Sequence, residues 1–203
     1  MYIQNARKTE RKKLTVSELT LTGLATAVLC ILGPLSLPLP VSPVPISLGT
    51  LGVYLAIALL GRRLGTISCL LYLLLGMVGL PIFSGYAGGA ARLLGPTGGY
   101  LVGYLFLAVI AGTFVEKASG ITWKAYAFSG MGMLLGTAVL YLFGTLWLAY
   151  TAGMDFYGAL WAGVIPFIPG DLLKMIAAVL LGTTLRERLN QAGIEACVKQ
   201  KKH

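Results

Sequence analysis

Long apolar runs separated by short polar, proline-rich or glycine-rich breaks set the plan of this 203-residue chain. The first run extends from about Val16 to Gly33, the second from Ile46 to Leu60 and the third from Leu64 to Val78. A fourth follows from Gly98 to Val115, a fifth from Ala125 to Leu148, and a sixth from Gly170 to Leu185 with a kinked lead-in from Ala159. These lengths lie near the roughly 20 residues a helix needs to cross hydrocarbon, and none of the runs alternates as a barrel strand does. The second run is short, so neighbouring backbone must complete its crossing. The pattern predicts an all-α integral membrane protein of six transmembrane helices in one domain, with tails over 1–15 and 186–203 flanking a bundle over 16–185. The first run lacks an A-x-A cleavage site and further spans follow it, so it is read as a retained helix rather than a signal peptide.

Two of the breaks are unusual. Pro34, Pro38, Pro40, Pro43 and Pro45 cannot continue a helix and predict an extended, uncharged loop. From Gly79 to Tyr100 the chain holds seven glycines, Pro81, Pro96 and a single charge, Arg92. That stretch is too rich in glycine for an ordinary helix and too apolar for an ordinary loop. Irregular backbone of this kind is tolerated at membrane depth where it is buried in protein or lines a cavity. Inside the runs, Gly103, Gly112, Gly130, Gly132 and Gly136 are explained by close helix packing, and Gly23 with Ala27 forms a small-residue face for a neighbouring helix in this chain or in a partner.

Composition agrees: 57% of residues are hydrophobic, mean hydropathy is +0.81, and 11% are charged, against about 25% in soluble domains. The net charge is +9, and 14 of the 16 Lys and Arg residues fall in the two tails and in the turns at Arg62, Arg63 and at Lys117, Lys124. With six spans all four segments face one side, which the preference of basic residues identifies as the cytoplasm, so both termini are expected there. Anionic lipid accounts for this charge, and no nucleic-acid partner is expected. Trp123 reads as an interfacial anchor. Cys30, Cys69 and Cys197 are odd in number and show no close-spaced pattern, which argues against a disulfide framework or a metal site.

The exceptions to the charge pattern carry the chemistry. Arg92, Asp171 and Lys174 lie toward the outer half, and Asp171 and Lys174 are the only ionisable residues between Gly158 and Leu185. Three residues apart on a helix that begins near Pro169, they share a face. Charges at membrane depth are costly and mark a pathway, a site or a mutual pair. Together with the glycine-rich segment they offer two cations, one carboxylate and bare amides, a set suited to a small anion with polar groups at its other end. Phe83, Tyr86 and Tyr100 are aromatic candidates for stacking on a ligand ring. The bland alternative is that Asp171 caps its helix and pairs with Lys174, while Arg92 reaches water.

Enzyme chemistry lacks its residues. The one histidine is His203, at the tail, which rules out Ser-His or Cys-His pairs within the membrane. Neither G-x-x-x-x-G-K-[ST] nor H-E-x-x-H occurs. Pro169-Gly170-Asp171 has the Gly-Asp of intramembrane aspartyl proteases, but the second carboxylate, Asp155, falls in a loop. No catalytic residue, metal or cofactor of its own is therefore expected, and transport or binding remains. A self-sufficient secondary carrier for a small carboxylate is the alternative class, and the internal repeat common in such carriers is not visible.

Gly79-Leu-Pro-Ile-Phe83, Gly88-Gly89, Gly95-Pro-Thr-Gly-Gly-Tyr-Leu101 and Pro166-Phe-x-x-Gly-Asp-x-x-Lys174, with Pro43-Val-Pro-Ile-Ser-Leu-Gly-Thr50 before them, resemble the BioY family. That family comprises the biotin-specific substrate-binding components of energy-coupling-factor (ECF) transporters. The resemblance implies six helices, a cell-membrane location and biotin as ligand. Asp171 is expected at the ureido N–H groups, Arg92 or Lys174 at the carboxylate, and Ser84, Tyr86 and Gly89 at the rings. It also implies a transmembrane coupling subunit, met through Gly23 and Ala27, and two ATPase subunits that use ATP. Gly49 stands where the family pattern has Gln.

Overall fold

The computed structural model describes residues 14–40, 42–118 and 120–192. The basic run from Arg7 to Lys13 and the tail residues Cys197, Lys199, Lys201, Lys202 and His203 lie outside the described residues. Helix α1 (Val16–Leu32) starts at a capping box: the Thr15 hydroxyl accepts from the Glu18 N–H, and the Glu18 carboxylate accepts from the Thr15 N–H. After it come strands β1 (Ser36–Leu39) and β2 (Ser42–Ser47), helix α2 (Gly49–Met77), a short α3 (Ala90–Leu94), α4 (Gly98–Lys117), α5 (Trp123–Ala152), α6 (Phe156–Gly163), a 3-10 turn (Ile165–Phe167) and α7 (Ile168–Gln191).

Three features depart from the expected plan. The proline-rich stretch is an antiparallel hairpin, with Ser36 opposite Ser47 and Leu37 opposite Ile46, so the fold is mostly rather than wholly helical. A two-stranded ribbon leaves one edge of each strand unpaired, where proline loses no ladder hydrogen bond. Within the glycine-rich segment, five residues around Arg92 form α3. The sixth run is broken rather than merely kinked: its lead-in is α6, starting at Phe156, and α7 begins again at Ile168 after Val164 leaves helical geometry. Pro169 fits the first turn of α7, where its missing N–H has no partner to lose.

The expected turn at Gly61-Arg62-Arg63 is tight. Gly61 alone has non-helical geometry, at φ +73° and ψ −164°, inside the span assigned to α2. A methyl built on Gly65 would lie 3.2 Å from the Ile57 Cα, whereas eight residues of straight helix cover about 12 Å. Residues 49–60 and 62–77 are therefore two rods side by side. The turn is held by the Glu116 carboxylate, which accepts from the Arg62 N–H at 2.8 Å.

By length and composition, Gly49–Met77, Gly98–Lys117, Trp123–Ala152 and Phe156–Leu189 qualify to cross a membrane, and Val16–Leu32 is shorter. Small residues let the rods approach, since little else draws apolar helices together in lipid. Gly103 faces Leu140, Gly136 faces Leu107, and Gly112 lies against the Arg62 backbone, whereas Gly130 meets nothing. Gly23 and Ala27 are exposed, and a methyl on Gly23 would touch nothing, so this face is not used for packing among the described residues.

Three of the rods run the same way. The first rod of α2 runs from Thr50 to the Arg62 turn, α4 ends at Lys117, and α7 runs from Asp171 to Arg186, whose guanidinium donates to the Val115 carbonyl at 2.9 Å. Fifteen residues of helix place Arg186 about 22 Å from Asp171. One end of the bundle thus gathers Arg62, Arg63, Lys117 and Arg186, and the other gathers Arg92, Asp171 and Lys174.

Candidate functional site

The second end contains a hollow of about 580 Å³, part of it open to solvent. Two helix starts converge on it. Thr50 lies in the first turn of α2 and Asp171 in the first turn of α7, so the positive ends of two helix dipoles face one carboxylate. Asp171 is 5% exposed. Its Oδ1 accepts from the Thr50 hydroxyl at 3.0 Å and from Lys174 Nζ at 2.9 Å, and its Oδ2 accepts from the Tyr141 hydroxyl at 2.7 Å. An ionised carboxylate has about four acceptor positions, so roughly one remains, on Oδ2.

Lys174 is committed in full. Its ammonium donates to the Ser47 carbonyl at 2.6 Å, to Asp171 at 2.9 Å and to the Thr50 hydroxyl at 3.1 Å, which accounts for all its protons. It ties the end of the β1–β2 hairpin to α7. Arg92 differs: exposed in the last turn of α3, its guanidinium makes one long contact among the described residues, from Nη2 to the Ser84 carbonyl at 3.5 Å. Most of a five-donor fork is left for an anion.

Between these charges the walls are apolar and aromatic. Phe83, Tyr100, Tyr104, Leu101, Leu140 and Phe167 line the space. Phe83 is fixed edge-on to Tyr72, with ring centres 5.5 Å apart, and the Tyr72 hydroxyl donates to the Ile82 carbonyl at 3.0 Å. Tyr100 donates to the Gly163 carbonyl at 2.9 Å, so the break between α6 and α7 supplies an acceptor that an unbroken helix would have used internally. The Trp147 indole donates to the Gly95 carbonyl at 2.9 Å and holds the glycine-rich segment against α5. That segment owes its glycines to contact as well as to conformation. Gly88 abuts the Leu80 carbonyl, Gly98 abuts the Leu93 carbonyl, and Gly89 starts α3 at φ +92°.

Of the residues expected to touch a ligand, Ser84, Arg92, Asp171 and Lys174 line the hollow together. Tyr86 does not: it has φ +57° and is 67% exposed. Gly89 shapes the backbone before α3 and is not among the lining residues. Thr50, Ser47, Tyr104 and Tyr141 belong to the site and were not singled out by sequence. Tyr141 sits inside an unbroken apolar run, where a tyrosine carries no positional signal, and Thr50 becomes significant only through its bond to Asp171, 121 residues away.

These features define a class: a multi-pass membrane protein that holds a charge-bearing hollow suited to a small ligand at one end of its helices. A sequence model of the BioY family matches residues 7–191, and the chain belongs to that family. It is 41% identical over 175 residues to the biotin transporter BioY of Rhizobium etli, covering 83% of this chain and 92% of the relative. To the biotin transporter BioY of Thermotoga maritima it is 35% identical, over 84% of this chain and 96% of the relative. The crystal structure of the S-component for biotin from an ECF-type ABC transporter superposes with a TM-score of 0.78 at 35% identity, covering 85% of this chain and 92% of that one.

Proposed function

We propose that this chain captures biotin and carries it across the cell membrane as the substrate-binding component of an ECF-type transporter. It is a transport protein rather than an enzyme, and it works with partner subunits. Relatives that bear the name biotin transporter match 83% and 84% of this chain and support this reading.

One observation carries the ligand assignment: a carboxylate with a spare acceptor position and a guanidinium with spare donors border one hollow walled by aromatic and aliphatic side chains. Biotin has a urea with two N–H donors, an apolar bicycle and a carboxylate tail, in that order along its length. The urea goes to Asp171 and the tail to Arg92, because Lys174 has no proton left to offer. Lys174 acts instead as the clasp that holds hairpin, α2 and α7 around the site, and Ser84 lies beside Arg92 at the tail end.

The two rods of α2 count as separate crossings in this reading, which makes six, with the basic end and both termini in the cytoplasm and the hollow opening outward. The exposed face at Gly23 and Ala27 is the surface offered to a coupling subunit, and two ATPase subunits supply energy from ATP. The test is isothermal titration of biotin into the purified chain in detergent, with mass spectrometry of any small molecule that copurifies. Saturable one-to-one binding supports the assignment. Absence of binding, with a different copurified ligand, would reject it.

A further inference from the structure

The buried tyrosines near the site have partners, with one exception. Tyr54 bonds Thr137, Tyr72 bonds the Ile82 carbonyl, Tyr100 bonds the Gly163 carbonyl, and Tyr141 bonds Asp171. Tyr104 is 6% exposed and lines the hollow, yet its hydroxyl forms no hydrogen bond among the described residues. The ring is packed among its neighbours while the hydroxyl opens onto the hollow, and a tyrosine whose body is buried ordinarily turns its O–H to a partner, so this donor is offered to whatever occupies the hollow. The hydroxyl's position is informative. A methyl built on Gly49 would sit 3.0 Å from it and 3.1 Å from the Ser47 hydroxyl oxygen, so glycine at 49 is what leaves this group uncovered. Gly49 directly precedes Thr50, and Ser47 holds Lys174, so Tyr104 belongs to the corner where Asp171 is bound.

We propose that the Tyr104 hydroxyl is a specificity contact, donating to the carbonyl oxygen of the ligand's urea while Asp171 accepts from the urea N–H, with Gly49 keeping the hydroxyl accessible. The inference rests on the biotin reading and deepens it. Asp171 only accepts, the protons of Lys174 and the hydroxyl protons of Thr50 and Tyr141 are committed, and Arg92, Ser84 and Thr97 come from the glycine-rich segment rather than from the helix starts that hold Asp171 and Thr50. Without Tyr104 the urea oxygen would enter this corner with no donor.

The experiment compares biotin with its thiourea analogue, in which sulfur, a poor acceptor, replaces the urea oxygen. Tyr104→Phe keeps the ring and should weaken biotin binding about tenfold while leaving the affinity for the thiourea analogue nearly unchanged. A role in packing alone would lower both alike and overturn the proposal. Gly49→Ala should likewise weaken biotin more than the analogue, and should add little in the Tyr104→Phe background because both changes remove the same contact. Additive losses would count against it, and thermal unfolding of each variant separates misfolding from lost contact. Wild-type protein that ignores biotin sinks the capture reading itself, whereas normal biotin binding that Tyr104→Phe leaves intact sinks this inference alone.

Discussion

The two ends of the bundle both bury charge, and they use it differently. At the basic end, Glu18 closes a capping box, Glu116 fastens the Arg62 turn, and Arg186 donates to the last turn of α4. These groups satisfy backbone donors and acceptors that helix termini leave unpaired. At the opposite end, Asp171 and Lys174 also bond each other, but around a hollow that Arg92 borders with most of its donors unspent. Buried charge alone therefore does not mark a binding site in this protein. Incomplete satisfaction beside empty space does.

The contrast is broken most severely at Asp171. Asp171→Asn leaves the Lys174 ammonium buried without its counter-charge, a loss that in buried pairs costs about 3–5 kcal/mol, and it removes the acceptor offered to the urea. Biotin binding by titration should become undetectable and the unfolding temperature should fall. Wild-type affinity in this variant would remove the carboxylate from the site.

Arg92→Ala should divide the two properties. Loss of a charge-assisted contact weakens biotin by about 1.5–3 kcal/mol, roughly 10- to 150-fold, while the unfolding temperature hardly moves, because the side chain is exposed and makes one long contact among the described residues. The methyl ester of biotin should bind the variant and the wild type alike. A large preference of wild type for the ester would contradict the assignment.

Arg186→Ala probes the other end. It leaves the buried Val115 carbonyl without its donor, and stability should fall by about 1–3 kcal/mol in chemical or thermal unfolding. Biotin affinity should stay within twofold of wild type, since the change lies about 22 Å from Asp171. A tenfold change in affinity would show that the ends are coupled. Thr15→Ala is the mildest case: loss of the cap costs about 1 kcal/mol and leaves binding untouched.

Much of the plan was legible in the chain because lipid imposes it. Each expected apolar run reappears as helix within a few residues, with the third run continuing from the second through Gly61. The basic turns identified by counting Lys and Arg gather at one end of the structure, and Asp171 and Arg92, both expected at a ligand, line one hollow. What was misread has physical reasons. The hairpin was expected as open loop because five prolines argue against a central strand, a rule that does not bind a two-stranded ribbon. Tyr86 and Gly89, expected at the ligand rings from the family resemblance, do not line the hollow: both sit at positive φ in the glycine-rich stretch, Tyr86 is exposed, and Gly89 shapes the backbone before α3.

The order of the long apolar helices, the end at which basic residues collect and the presence of a charged pair in an apolar run were set by the chain itself, since each follows from local hydropathy and the cost of charge in lipid. The division of labour between Lys174 and Arg92, the recruitment of Thr50 and Tyr141, and the uncovered hydroxyl of Tyr104 were decided only by packing. A donor is spent or spare according to what lies within about 3 Å of it, and for these groups the deciding neighbours are up to 127 residues away along the chain.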